Sequence, residues 1–360
     1  MVTAAGVQIF HGDDGLAWEQ HPLPTSLTAG QVLVQIDLAT ICGSDLHTLE
    51  GRRPATTPVI LGHEAVGRVV EMGPPLIGRS QRPPLSLGDR ISWSIADSCG
   101  NCRFCNDHAL PEKCDNLFKY GHAPLNDGSG LNGCYSTHIL LRPGTHIVKI
   151  PESISDALAA PVNCALATVF NAMAQLPENA RRVLVQGAGL LGLYACAALR
   201  ERGVETVLCV DVEPSRLALI ERFGAVPIDG TQGDDSVITQ IEAQTPEGMD
   251  AVIEVAGDPR LVPVGIRLLR AGGHYVFVGM VHPQSALELT GEQIVRKCLT
   301  LRGVHNYAPQ HLDLAVSFLQ RTHRRYPYEE LVSEPLPLQR LDEAMELARS
   351  RRFARVALRP

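Results

Sequence analysis

The segment Gly187-Ala188-Gly189-Leu190-Leu191-Gly192 narrows the possible folds of this chain more than any other. It follows the apolar run Val183-Leu184-Val185 and opens the helical pattern Leu190–Arg202. A strand–turn–helix with glycines at these spacings has a physical reason. The first glycine permits a tight turn, the second lets backbone approach a pyrophosphate, and the third lets helix and strand pack closely, with the helix N-terminus facing the phosphate charge. Asp211 stands nineteen residues past Gly192, at the end of the next strand-like run. A carboxylate there accepts hydrogen bonds from an adenosine ribose and repels a 2′-phosphate. Val212, the residue after it, is not basic, so NAD is expected ahead of NADP; Arg216 leaves some tolerance for the latter.

Around this motif the chain alternates. Strand-like runs at Val183–Val185, Thr206–Val210, Val226–Ile228, Ala251–Val255, Tyr275–Val278 and Leu299–Leu301 are separated by helical patterns, including Pro214–Phe223 with proline at its start. Six strands with intervening helices predict a doubly wound parallel sheet over residues 165–302. Residues 1–164 read differently: β-rich and irregular, with strands at Gln31–Leu38, Ala65–Val70 and Ser136–Leu141. Pro54, Pro58, Pro74, Pro75, Pro83, Pro84 and Gly88 break any long helix there. Gly73–Leu87 reads as a surface loop holding a proline-rich insertion near Arg79–Leu85. Residues 303–360 carry a helix at Leu341–Arg351 and a strand at Ala354–Leu358, and are expected to return to the first domain.

Composition removes several classes. Lys plus Arg total 32 against 39 Asp plus Glu, a net charge of −7, and aromatics are 5%. Neither a basic footprint nor a stacking platform for nucleic acid is present. The most apolar stretch, Val183–Leu199, is interrupted by Gln186 and three glycines, so it does not read as a membrane span. Met1–Phe10 lacks a basic region followed by an apolar one, and a cytoplasmic protein acting on small molecules is expected.

Ten cysteines in a reducing compartment point to metal rather than disulfides. Cys99, Cys102, Cys105 and Cys114 form C-x2-C-x2-C-x8-C. Four thiolates can close one tetrahedral zinc and leave no open position, which is a structural site; a C-x-x-C redox pair is the rival, but does not normally bring two further cysteines. A second constellation starts at Cys42-Gly43-Ser44-Asp45-Leu46-His47, followed twenty-one residues after Cys42 by His63, within Gly62-His63-Glu64. A catalytic zinc wants three protein ligands and one open position; Cys42 and His63 can supply two and Cys164, where the first domain hands over to the second, the third.

With the glycine fingerprint, the four-cysteine loop and this set together, the chain resembles the zinc-dependent medium-chain dehydrogenase/reductase family, the alcohol dehydrogenase-like group, over essentially its whole length. The resemblance implies a GroES-like catalytic domain plus a Rossmann domain, usually assembled as a homodimer or homotetramer through the Rossmann unit. It implies two zinc ions per chain, the catalytic one on Cys42, His63 and Cys164. Ser44 and His47 would form a proton relay, and Asp45 and Glu64 would stand beside the metal. Gly187, Gly189, Leu190, Leu191, Gly192, Asp211 and Arg216 would hold the dinucleotide. One departure is the eight residues between Cys105 and Cys114, where the family usually has seven. A finer resemblance, carried by Lys113–His122, Pro161–Ala165 and Gly303–Tyr307, is to a subgroup associated with phosphonate metabolism. A hydroxyalkyl phosphonate would need cations near the zinc, and Arg52, Arg53, Lys119 and His122 are candidates. A polyol or simple alcohol is the alternative substrate. A zinc-independent reductase and a non-catalytic NAD-binding regulatory protein are the alternatives on the same fold.

Overall fold

A computed structural model describes residues 3–76, 84–125 and 130–360. Most of the proline-rich insertion near residues 79–85 lies outside the described residues. The chain divides into two compact units. One comprises residues 1–167, 308–323 and 328–360; the other comprises 168–307 and 324–327.

The second unit is a six-stranded sheet in the order Val226–Asp229, Thr206–Asp211, Arg182–Gln186, Met249–Glu254, Leu269–Phe277, Thr300–Gly303. Every neighbouring pair is parallel. All six runs predicted from hydrophobicity are strands here. Both faces of a parallel sheet are covered by crossover helices, so its strands are apolar throughout rather than alternating; Met249–Glu254 is buried at every position. Chain order reverses between Arg182–Gln186 and Met249–Glu254, and beyond the carboxyl ends of strands at such a point an open α/β sheet binds its ligand.

The first unit is antiparallel in its central part. Val32–Thr40 pairs with Glu64–Met72 on one side and Ala357–Arg359 on the other, and His138–Leu141 also joins it. A three-stranded sheet of Leu16–Pro22, Ala4–Phe10 and Val59–Ile60 adds two N-terminal strands that hydrophobic alternation did not predict. Leu16–Pro22 is largely exposed, so it carries little apolar pattern to read. The helix Pro309–Thr322 was also not predicted, although proline opens it and Leu312, Ala315, Val316 and Leu319 line its buried face. The core of this unit gathers Val34, Val69, Ile91, Trp93, Leu358 and Met345.

Register brings the chemistry together. Thr40 pairs with Glu64 across the sheet, so the residues just past one strand meet those just before the other. Cys42 and His63 are those residues. Cys42 leaves the strand and caps the short helix Gly43–Leu49. Cys164 follows a 3-10 turn, Ala160–Asn163, whose buried Asn163 amide donates to the carbonyls of His63 (3.0 Å) and Trp93 (2.9 Å) and so ties the turn to the sheet.

Candidate metal centre and dinucleotide crevice

In the first unit Cys42, His63, Glu64 and Cys164 each offer a donor atom, all within 4.8 Å of one another. Cys164 Sγ lies 3.5 Å from His63 Nε2. The opposite ring nitrogen, Nδ1, faces Asp45 Oδ1 at 3.4 Å with both side chains buried. Asp45 Oδ2 accepts from the Cys42 amide (3.0 Å) and the Tyr135 hydroxyl (2.9 Å). Asp45 therefore sets the orientation of the imidazole and leaves Nε2 toward the thiols, as carboxylates behind metal-binding histidines do.

Glu64 is fully buried and does not stand alone. Arg355 grips it with two bonds, Nε to Oε2 at 2.7 Å and Nη2 to Oε1 at 2.9 Å, and Thr40 Oγ1 donates to Oε2 at 2.6 Å. Arg355 Nη2 is also 3.7 Å from Cys42 Sγ. Sequence reading missed Arg355: it is one of several arginines near the C-terminal end, separated from Glu64 by 291 positions, and nothing local marks it.

The electrostatics fit a cation. A hydrogen bond from Cys164 holds the Cys42 thiol well below its ordinary range, against its burial and with help from Arg355. Burial opposes charge on the His63 ring, yet Asp45 and then Cys42 outweigh it and push the ring up to about 10. A pocket that pulls a proton this strongly onto an imidazole offers the same field to a metal ion in the proton's place. Two thiols and one imidazole, with the Glu64 carboxylate taken up by Arg355, form an N/S donor set suited to zinc. Ser44 and His47 lie on the adjoining helix Gly43–Leu49, both half-buried and three residues apart, hence on one face.

The second cluster is as compact. Cys99, Cys102, Cys105 and Cys114 also lie within 4.8 Å of one another, with Cys99–Cys114 at 3.4 Å and Cys102–Cys105 at 3.5 Å. The amides of Cys99 and Asn116 donate to Cys114 Sγ, each at 3.3 Å. The turn Pro111–Lys113 leads into Cys114, and with eight residues after Cys105 the fourth sulfur still lies with the other three.

In the second unit the three glycines have distinct duties. Gly187 adopts φ +103°, and a Cβ there would press on Ala256. At Gly192 a Cβ would meet the Gly187 carbonyl oxygen at 1.8 Å. Gly189 is different: a Cβ would meet nothing within 4 Å, so space at the start of the helix Leu190–Glu201 is left open on the ligand side. Leu190 is buried and Leu191 half-buried in the first turn of that helix. Asp211 closes the glycine loop, its Oδ2 accepting from the Ala188 amide at 2.6 Å and its Oδ1 from Val212 and Glu213 at 2.8 and 2.9 Å. Arg216 approaches the same carboxylate at 3.8 Å. Glu254, at the end of its strand and fully buried, accepts from the amides of Gly257 and Gly279. It thereby ties together the loops after two neighbouring strands at the crevice, a role that no local sequence signal marks.

A Rossmann unit and a GroES-like unit bearing two thiol-rich clusters define a zinc-dependent dehydrogenase. Residues 28–152 match the family model "Alcohol dehydrogenase GroES-like domain" and residues 191–321 match "Zinc-binding dehydrogenase". An alcohol dehydrogenase structure from Thermotoga maritima superposes with a TM-score of 0.92 at 32% identity, covering 99% of each chain. 5-exo-hydroxycamphor dehydrogenase of Pseudomonas putida is 27% identical over 89% of each chain. D-arabitol-phosphate dehydrogenase of Enterococcus avium is 26% identical over 93% of this chain and 91% of its own. The chain belongs to the zinc-dependent alcohol dehydrogenase family, oxidoreductases that act on alcohols. Among the described residues no helix is long and apolar enough to cross a membrane.

Proposed function

We propose that this chain is an NAD-linked dehydrogenase that interconverts an alcohol and its carbonyl, with Cys42, His63 and Cys164 holding a catalytic zinc and Cys99, Cys102, Cys105 and Cys114 a structural one. The observation that carries the reading is the clustered donor set, its cysteines half-buried, with Asp45 behind the ring and the Glu64–Arg355 pair behind the thiol. When bound, zinc supplies charge that makes a hydroxyl more acidic, and the dinucleotide supplies the hydride acceptor. The chain's own residues do the rest. Ser44 and His47 pass the hydroxyl proton toward solvent, a task that suits an imidazole whose ordinary pKa is near ~6.5. Asp45 fixes the His63 tautomer, and Glu64 with Arg355 holds the thiol end of the site rigid. Asp211 favours NAD through its charge opposite a 2′-phosphate, and Arg216 is the group that softens that preference.

The open space at Gly189 gives a direct check on the cofactor site. Gly189→Ala has an ordinary backbone conformation, φ −69°, and should leave thermal stability unchanged or slightly raised. It should weaken NADH binding by roughly tenfold or more, because the methyl takes the pyrophosphate's place. Titration of cofactor fluorescence measures this. Unchanged affinity would mean the dinucleotide lies elsewhere.

For the substrate, the segments Lys113–His122, Pro161–Ala165 and Gly303–Tyr307 support a hydroxyalkyl phosphonate; a polyol or plain alcohol is the second reading, favoured by the similarity to a sorbitol dehydrogenase. The protein acts in the cytoplasm as a homodimer or homotetramer. The test follows NADH formation by zinc-replete protein on paired alcohols with and without the phosphonate. A preference of about a hundredfold, ~2.7 kcal/mol of transition-state binding, is expected. Equal rates within pairs would favour the plain alcohol.

A further inference from the structure

In the second unit, the carboxyl ends of the neighbouring strands Met249–Glu254 and Leu269–Phe277 carry two loops that abut. Gly257 has φ +76°, and a Cβ there would meet the Gly279 carbonyl oxygen at 2.8 Å. A Cβ on Gly279 would meet the Gly257 nitrogen at 2.4 Å, so glycine on both sides lets backbone lie on backbone. Glu254 reaches both loops, Oε1 accepting from the Gly257 amide and Oε2 from the Gly279 amide at 3.2 Å. Among the described residues no cation pairs with this fully buried acid, and backbone donors hold its charge in place.

His282, half-buried, makes a second tie between the same loops. Its Nε2 lies 3.0 Å from the Gly257 carbonyl oxygen. A carbonyl can only accept, so the ring carries a proton on Nε2. Ser285 Oγ donates to the His282 carbonyl at 2.7 Å and braces residues 282–285 behind the ring.

These ties lie where the second half of the cofactor would fall. Gly187 packs against Ala256, so residues 255–258 flank the glycine turn that faces the pyrophosphate. Asp211, at the end of the strand on the other side of Arg182–Gln186, takes the adenosine end. Strand order reverses between Arg182–Gln186 and Met249–Glu254, which leaves the loops after Met249–Glu254 and Leu269–Phe277 to the nicotinamide half. A ring that exchanges hydride needs a wall that holds still, because small misplacements of reacting atoms are costly.

We infer that His282 is a positioning residue for the cofactor: with Glu254 it clips residues 278–285 against residues 255–258 and so presets the wall on which the nicotinamide half of the dinucleotide rests. For its purpose this clip rests on the NAD-linked reading above; its geometry stands on the hydrogen bonds between the loops.

The test is titration of the zinc-loaded protein with NADH and with ADP-ribose, which lacks the nicotinamide ring, on wild type, His282→Ala, His282→Gln and Glu254→Gln. His282→Ala should weaken NADH binding by about fivefold, the worth of one hydrogen bond, and leave ADP-ribose within about twofold. His282→Gln, whose amide still donates to a carbonyl, should stay within about twofold of wild type for both ligands. Glu254→Gln turns an NH2 toward one of two amide donors and should weaken NADH by about tenfold or more. It will also lose stability, so the two His282 variants are decisive. In the free protein, hydrogen exchange over residues 278–285 should be about fivefold faster in His282→Ala and unchanged in His282→Gln. Equal weakening of NADH and ADP-ribose, or unchanged exchange in His282→Ala, would overturn the clip. Wild type that binds both ligands, with NADH unaffected by His282→Ala, overturns the clip and leaves the cofactor site standing. Binding of neither ligand by wild type overturns the cofactor reading and the clip's role with it.

Discussion

Cys42→Ala should leave about one zinc per chain where the wild type holds about two, the count expected when one open site is lost and one closed site stays. Turnover should fall on the order of a thousandfold or more, since the lost metal supplies several kcal/mol of charge stabilisation. The thiol sits where Cys164 and Arg355 both converge, and alanine removes the anionic donor around which they are arranged. Because Cys42 also caps a helix of only seven residues, some loss of stability will accompany the change, so metal content is the decisive readout. Cys99→Ala provides the contrast: it too should lose one zinc, but with a destabilised loop and largely retained chemistry per folded molecule. Two zinc ions retained in Cys42→Ala would place the catalytic metal on other residues.

Arg355→Met should cost about 3–5 kcal/mol of stability, the range found when one member of a buried ion pair is removed and its partner stays. Glu64 is fully buried and, among the described residues, would keep only the Thr40 hydroxyl. The double variant Glu64→Gln with Arg355→Met should recover a large part of that loss, because a neutral amide no longer needs the guanidinium. Chemical denaturation of the four proteins in the cycle measures it. A small loss in Arg355→Met, with no recovery in the double variant, would mean that the pair is not coupled.

How much of this was legible depended on how local each signal was. The four-cysteine loop lies within one short segment, so spacing alone announced it, and its four sulfurs meet despite the eight residues before Cys114. The parallel sheet was legible because burial on both faces writes itself as uninterrupted apolar runs, as in Val183–Val185 and Ala251–Val255. Cys42, His63 and Cys164 are far apart in sequence, and only their joint occurrence with the glycine motif singled them out; the register pairing Thr40 with Glu64 brings the first two together and the Asn163 amide brings the third. Arg355 and Glu254 were illegible. Their partners are a distant side chain in one case and backbone amides in the other, and neither leaves a trace in spacing or periodicity. Arg52 and Arg53 are neighbours of identical type that hydropathy cannot separate, and the fold sends them to different partners.

The pairing of Val32–Thr40 with Ala357–Arg359 bears on how the protein is made. During synthesis residues 168–327 emerge from the ribosome before Arg355 does, and domains tend to fold as their sequences become available. The nucleotide-binding unit therefore has all its strands in hand while the central strand of the other unit still lacks a neighbour and Glu64 still lacks its guanidinium. Over that interval the nascent chain presents an open sheet edge and an uncompensated acid, a natural point of engagement for chaperones, and the Glu64–Arg355 pair beside the metal donors closes only after the nucleotide-binding unit has all its strands.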